Sequence, residues 1–61
     1  MNYTCKTYYN ADHDTTYVEV SYKNNTVTRA LPGNKLTHDS EHLTQYAKKD
    51  LIKELERLIW T

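Results

Sequence analysis

Two histidine-containing segments are the first places to look for chemistry in this sequence. His38 and His42 are four residues apart, and on a helix that spacing puts two imidazoles on one face, suited to gripping a metal ion. A zinc site needs three or four ligands. The sole cysteine, Cys5, is assigned by its strand parity to the buried face of a sheet, far from both histidines. We therefore expect no metal site and a solvated first helical turn.

The second segment is Asp12-His13-Asp14, which sets an imidazole between two carboxylates. These groups serve in acid–base catalysis, but Asp also favours turns because its side chain bonds to nearby backbone. Catalysis further requires a pocket that excludes water and partners from a second element, and a chain of 61 residues offers little concavity. Cys5 is expected to be a buried, unreactive thiol. We predict a protein that is not an enzyme, with no catalytic residues and no cofactor.

Two tyrosines, Tyr8 and Tyr17, are more informative because the strand pattern assigns both to the outer face of a sheet, beside Lys6 and Lys23. Exposed rings of this kind anchor protein interfaces or stack on nucleic-acid bases. They also stabilise an uncovered sheet as a plain cross-strand pair. The sequence leaves these three interpretations open.

Strands must hold these tyrosines, and period-two alternation predicts an antiparallel meander over residues 2–31. A polar loop at residues 11–14 sets the register of the first hairpin. This register predicts four cross-strand pairs, the second of them an ion pair: Tyr8–Tyr17, Lys6–Glu19, Cys5–Val20 and Tyr3–Tyr22.

The second hairpin is predicted to turn at Asn24-Asn25, because Asn tolerates positive φ. That turn sets Val20 opposite Arg29 and Val18 opposite Leu31, with the same apolar face as the first hairpin. Arg29 then lies on the core face. Either its stem snorkels to an edge, or it pairs with Asp50 or Glu54 on the helix, or the register of this strand is wrong.

A helix is predicted over residues 39–60, after a turn region at 32–38 and with Thr37, Asp39 or Ser40 as its cap. Its apolar positions form one stripe toward the sheet: Leu43, Ala47, Leu51, Leu55 and Leu58. The result is one small α+β domain, residues 1–61, with a βββα order and the helix packed on one face of the sheet. The predicted core contains Cys5, Val18, Val20, Val27, Leu51 and Leu55.

A second apolar line on the helix exceeds what one small sheet covers. Ile52 and Ile59 are seven residues apart beside the main stripe, and Trp60 lies near the chain end. These side chains either wrap the sheet edges or form a helix–helix homodimer, a common remedy for a small core. We predict weak self-association through this side of the helix.

Composition narrows the function classes. Eight Lys and Arg balance eight Asp and Glu, which argues against a protein held to nucleic acid mainly by bulk charge. A single Gly excludes a Gly-rich phosphate loop. One Cys fits a reducing compartment, and the sequence begins without a signal-peptide pattern and has no membrane-spanning apolar run, so a cytoplasmic location is expected.

The β-β-β-α order resembles that of small DNA-binding domains at the N-terminus of phage-type integrases and in plant AP2 factors. Those domains insert their sheet into the major groove, so the resemblance implies a sheet-face nucleic-acid binder using Tyr8, Tyr17, Lys6 and Lys23. The likeness covers most of the chain but is one of topology alone, because the basic strands and the motif before the helix have no match here. Glu19 partly balances the two lysines, and the chain is assigned to no family.

We predict a small non-enzymatic protein-interaction module that binds a larger partner protein, a second copy of itself, or both. By analogy of size and composition, it suits a phage-type accessory protein that modulates one partner. A nucleic-acid-binding sheet face is the alternative, and steep salt dependence would distinguish it. The predicted contact residues are Tyr8, Tyr17, Ile52, Ile59 and Trp60.

Overall fold

The chain folds into a three-stranded antiparallel sheet with one helix on one of its faces, as predicted. The computed structural model describes residues 3–60, apart from the Trp60 side chain. The predicted start of the first strand, at Asn2, lies outside the described residues. The elements are β1 (Thr4–Asn10), β2 (Thr15–Tyr22), β3 (Asn25–Pro32), a short 3-10 helix (His38–Ser40) and α1 (Glu41–Trp60), with strand order β1-β2-β3.

The first hairpin has the predicted register. Tyr8 lies opposite Tyr17, and Cys5 lies opposite Val20. Because side chains alternate between the two faces of a strand, this register puts the two tyrosines on the face away from α1 and Val20 on the face toward it.

The second hairpin differs from the prediction by a shift of two residues. Val20 lies opposite Val27 rather than Arg29, and the turn is Lys23-Asn24, with Lys23 at a φ of +55°. A shift by two keeps every side chain on its predicted face, so the apolar pattern tolerates either register. The observed register pairs two valines on the helix side, and it moves Arg29 opposite Val18.

The core lies between β2 and the middle of α1. Its side chains are at most 3% exposed: Val18, Val20, Ala47, Leu51 and Leu55. Tyr22, Val27 and Leu31 are partly buried against this cluster.

The two ends of the helical stripe predicted to face the sheet are exposed instead. Leu43 is 39% exposed and Leu58 is 62% exposed. The buried side of the helix is rotated toward Ile52 and Ile59, which pack against the core. At about 100° per residue, Leu43 and Leu58 lie on the flank away from those two side chains.

Cys5 was wrongly assigned to the core, since its side chain is exposed. Cys5 does lie on the predicted face of β1, the face toward the helix, but α1 packs mainly on β2 and β3. A helix is about 10 Å across and neighbouring strands are about 4.8 Å apart, so one helix covers about two strands. The inner face of β1 is therefore left open, and Thr7 is exposed there as well.

Arg29 pairs with the helix, as one of the three alternatives predicted. Its Nη1 lies 3.1 Å from Oδ2 of Asp50, with the two side chains 39% and 59% exposed. Because both groups remain in contact with water, the pair contributes at most about 1 kcal/mol.

The connection after β3 is fixed by a buried hydroxyl that the sequence analysis did not single out. Thr16 is fully buried. Its Oγ1 donates to the carbonyl of Gly33 and accepts from the backbone N–H of Lys35, both at 2.8 Å. Gly33 has a φ of +80°, a conformation that favours glycine. One side chain thus ties the turn after β3 to the central strand.

Candidate interaction surface

The face of the sheet opposite α1 is the surface on which the predicted tyrosines meet. Tyr8 and Tyr17 lie directly opposite each other, with ring centroids 5.4 Å apart and planes tilted by 31°. The centroid distance lies within the range of about 4.5–7 Å in which aromatic pairs attract each other. Tyr8 remains 41% exposed, so the pair offers apolar area to a further molecule. We call the outward-facing side of β1, β2 and β3 the open face.

The side chains beside the tyrosine pair are either small or carry opposite charges that cancel. Ala30 lies opposite Tyr17 on β3, so the Tyr17 ring is bordered on that side by a small side chain. In the next row, Lys6 lies opposite Glu19 as predicted, but the two do not form an ion pair within the described residues. The row formed by Lys6 and Glu19 therefore carries no net charge.

Lys23 is not on the open face, in contrast to the prediction. It occupies the hairpin turn, and its Nζ lies 5.5 Å from the centroid of the Tyr22 ring. Tyr22 lies on the face toward α1 with Val20, and its ring centroid is 5.4 Å from that of Tyr3, with the two planes tilted by 48°. The register shift places Lys23 in the turn. The open face therefore lacks one of the four residues that the nucleic-acid hypothesis assigned to it.

The Ile52 and Ile59 side of the helix is partly covered. Both side chains are half-buried and pack against the core, which favours the alternative in which they wrap the sheet edge. The Trp60 side chain lies outside the described residues. Self-association through this side remains a prediction.

The loop between β1 and β2 is held by its own polar groups. The Asn10 side chain accepts from the backbone N–H groups of Asp12 and His13 at 2.9 and 3.3 Å. The Tyr9 hydroxyl donates to Oδ1 of Asp14 at 2.6 Å, and this bond raises the pKa of Tyr9. Asp14 has a φ of +48°. These contacts describe a turn, as the more conservative interpretation predicted, and they leave His13 exposed.

The other candidate chemical residues lie at the start of the helix. His38 and His42 are both exposed. Within the described residues, no three His, Cys, Asp or Glu side chains are grouped closely enough to hold a metal ion.

A groove of about 510 Å³ lies between β1, on its side toward α1, and the first turns of α1. Thr7, His38 and Glu41 are among the residues that line it. No hydrogen bond links that imidazole or that carboxylate side chain to another described lining side chain, so the groove lacks a linked acid–base pair.

Tyr46 is a surface residue that the sequence analysis did not single out. It is 65% exposed on the outer side of α1, among charged neighbours that include Lys49 and Lys53. The helical period places it opposite the core stripe, which is the signal that identifies it. It provides a single exposed ring, and no described aromatic side chain pairs with it, in contrast to the pair on the open face.

No helix in the described part of the chain is both long and apolar enough to cross a lipid bilayer. Comparison of the chain with protein-family models, with curated proteins and with solved structures finds no match.

Proposed function

We propose that this chain is a non-enzymatic protein-interaction module that uses the open face to occupy a surface on a larger partner protein. The observation that supports this most is the Tyr8–Tyr17 pair, with Tyr8 41% exposed on a sheet face that no described element covers. Its small size and neutral charge suit a phage-type accessory protein that modulates one partner.

The physical basis of the proposal is the kind of surface that tyrosine makes. A Tyr side chain combines a large apolar ring with a polar tip, and the ring is held by few rotatable bonds, so little entropy is lost on binding. Tyr is accordingly enriched among the residues that dominate interface energies. Here the Tyr17 ring supports the Tyr8 ring, so the contact is preorganised before a partner arrives.

Nucleic acid is the less favoured occupant of the same face. Of the two lysines expected to contact phosphates, Lys6 lies opposite Glu19 and Lys23 lies over the Tyr22 ring. Phosphate binding depends on uncompensated positive charge, and the chain has a net charge of zero.

The proposal is tested by matched tyrosine substitutions. A tagged chain is used to isolate the partner from cells of its source, and the dissociation constant is then measured for wild type, Tyr8→Ala and Tyr46→Ala. Tyr8→Ala is expected to weaken binding by about tenfold or more, whereas Tyr46→Ala, which removes an even more exposed ring from the helix, should change it by less than about twofold.

Salt separates the two occupants. Affinity for a protein bound through the tyrosine pair should change little between low and high salt, whereas affinity for nucleic acid falls steeply. Equal losses for the two alanine variants would contradict the proposed surface. Tight oligonucleotide binding that disappears with salt would replace the protein partner with nucleic acid.

A further inference from the structure

The two outer strands of the sheet present unpaired backbone groups at their free edges, and the hairpin geometry identifies them. The two-residue turn Lys23-Asn24 is flanked by Tyr22 and Asn25, and residues in these positions exchange backbone hydrogen bonds. Because bonded and non-bonded pairs alternate along an antiparallel ladder, Val20 and Val18 also bond to β3. The residues between them on β2 bond to β1.

The same alternation fixes β1. Lys6 and Tyr8 lie opposite Glu19 and Tyr17, which are β1-bonding positions of β2, so their backbone groups point into the sheet. The backbone N–H and C=O groups of the intervening residues then point outward: Cys5, Thr7 and Tyr9. No described loop residue makes a backbone hydrogen bond to these outward groups of β1.

The two edges differ in how well they are protected. β3 ends at Pro32, which has no N–H, and α1 packs against this strand, with Arg29 bonded to Asp50. β1 has neither Gly nor Pro, and its one charged residue is Lys6. A regular edge strand with neither Pro nor repeated charge is a template for pairing with another strand.

We propose that β1 pairs antiparallel with β1 of a second copy of this chain, about a two-fold axis at Thr7. In this register Thr7 exchanges backbone hydrogen bonds with Thr7 of the second copy, and Cys5 does so with the second copy's Tyr9. The outward groups of all three residues are then used in both copies, giving about six backbone hydrogen bonds.

Side chains on the open face support this register. Lys6 lies opposite the second copy's Tyr8, which allows a cation–π contact, and no like charges are directly opposed. Glu19, next to Lys6 on β2, offsets the charge of the two lysines near the axis. The charge pattern therefore suits a second copy, whereas a random extended peptide would have no matched tyrosine.

The paired edges produce a six-stranded sheet in which the two open faces become continuous. The inference does not depend on the proposed function, because edge pairing uses backbone groups of β1 and leaves the outward side of the Tyr8–Tyr17 pair available.

Thr7→Pro and Thr28→Pro test the inference as a matched pair. Both replace an exposed Thr on a free edge strand, and by the alternation above both remove an outward N–H, which an edge tolerates. Sedimentation over micromolar to millimolar concentrations should give wild type and Thr28→Pro at twice the 7.2 kDa chain mass. Thr7→Pro should raise the dissociation constant by roughly ten- to hundredfold, because it removes two of the about six bonds.

Circular dichroism confirms that each variant is folded. If Thr7→Pro does not fold, Thr7→Lys takes its place, because it sets two lysines against each other at the axis, with Thr28→Lys as its control. A wild-type chain that stays monomeric at millimolar concentration overturns the inference. So does a dimer that survives Thr7→Pro or Thr7→Lys, or one that Ile59→Glu abolishes while both Thr7 variants leave it intact.

Discussion

Replacement of Thr16 by valine isolates the contribution of one buried hydroxyl, because valine has nearly the same shape. Thr16 is fully buried and makes two hydrogen bonds of 2.8 Å, one to the Gly33 carbonyl and one from the Lys35 N–H. Valine leaves both backbone groups without this partner. An unsatisfied buried group costs about 1–3 kcal/mol, and since Gly33 and Lys35 are only half-buried, we take the lower part of that range for each.

The expected loss for Thr16→Val is therefore about 2–3 kcal/mol. A domain of this size is stable by roughly 3–9 kcal/mol, so the variant should lose a large part of its stability and melt about 10–20 °C lower. Thr16→Ser is the control, because it keeps the hydroxyl and loses one methyl group, worth about 1 kcal/mol.

Urea and thermal unfolding followed by circular dichroism measure the difference. Thr16→Val should unfold at a lower urea concentration than Thr16→Ser, with a similar slope. If valine is as stable as serine or more so, the hydroxyl does not hold the turn after β3 and the reasoning fails.

Three further predictions concern the core, the surface ion pair and alkaline pH. Leu55→Ala should lose about 2–5 kcal/mol of unfolding free energy in urea titrations, because Leu55 is fully buried; a loss under about 1 kcal/mol would contradict its place in the core. Arg29→Met should change stability by no more than about 1 kcal/mol, because the pair with Asp50 is exposed; a larger loss would indicate a stronger role. The hydrogen bond to Asp14 raises the folded-state pKa of Tyr9 above its ordinary 10.0, so its stabilisation is fully present below pH 10 and is lost as pH rises through the folded pKa. Thermal melts of Tyr9→Phe should lack this part of the alkaline loss, and identical pH profiles for the two proteins would refute it.

The sheet was predictable because alternation reports directly on which face a side chain occupies. Val18 and Val20 are buried as predicted, and the first hairpin has the predicted register. The second hairpin was misjudged because a shift of two residues keeps every face, so only turn chemistry distinguished Asn24-Asn25 from Lys23-Asn24. Cys5 demonstrates a further limit of strand alternation. The alternation identifies which side chains face the helix, but not whether the helix reaches that strand.

The candidate surface was predictable in part, for the same reasons. The Tyr8–Tyr17 pair follows from the register of the first hairpin and is present. Lys23 left the open face because of the shift in the second hairpin. The buried Thr16 hydroxyl gives no signal in sequence, because its two partners belong to a turn 17 and 19 residues away.

The most direct test of the open face as the binding surface is a footprint of the bound chain. In NMR spectra recorded during titration with the isolated partner, the ring signals of Tyr8 and Tyr17 and the Thr28 methyl signal should change most, while the Tyr46 ring signal stays in place. Changes at Tyr46 and along the outer side of α1, with Tyr8 and Tyr17 unaffected, would contradict the account.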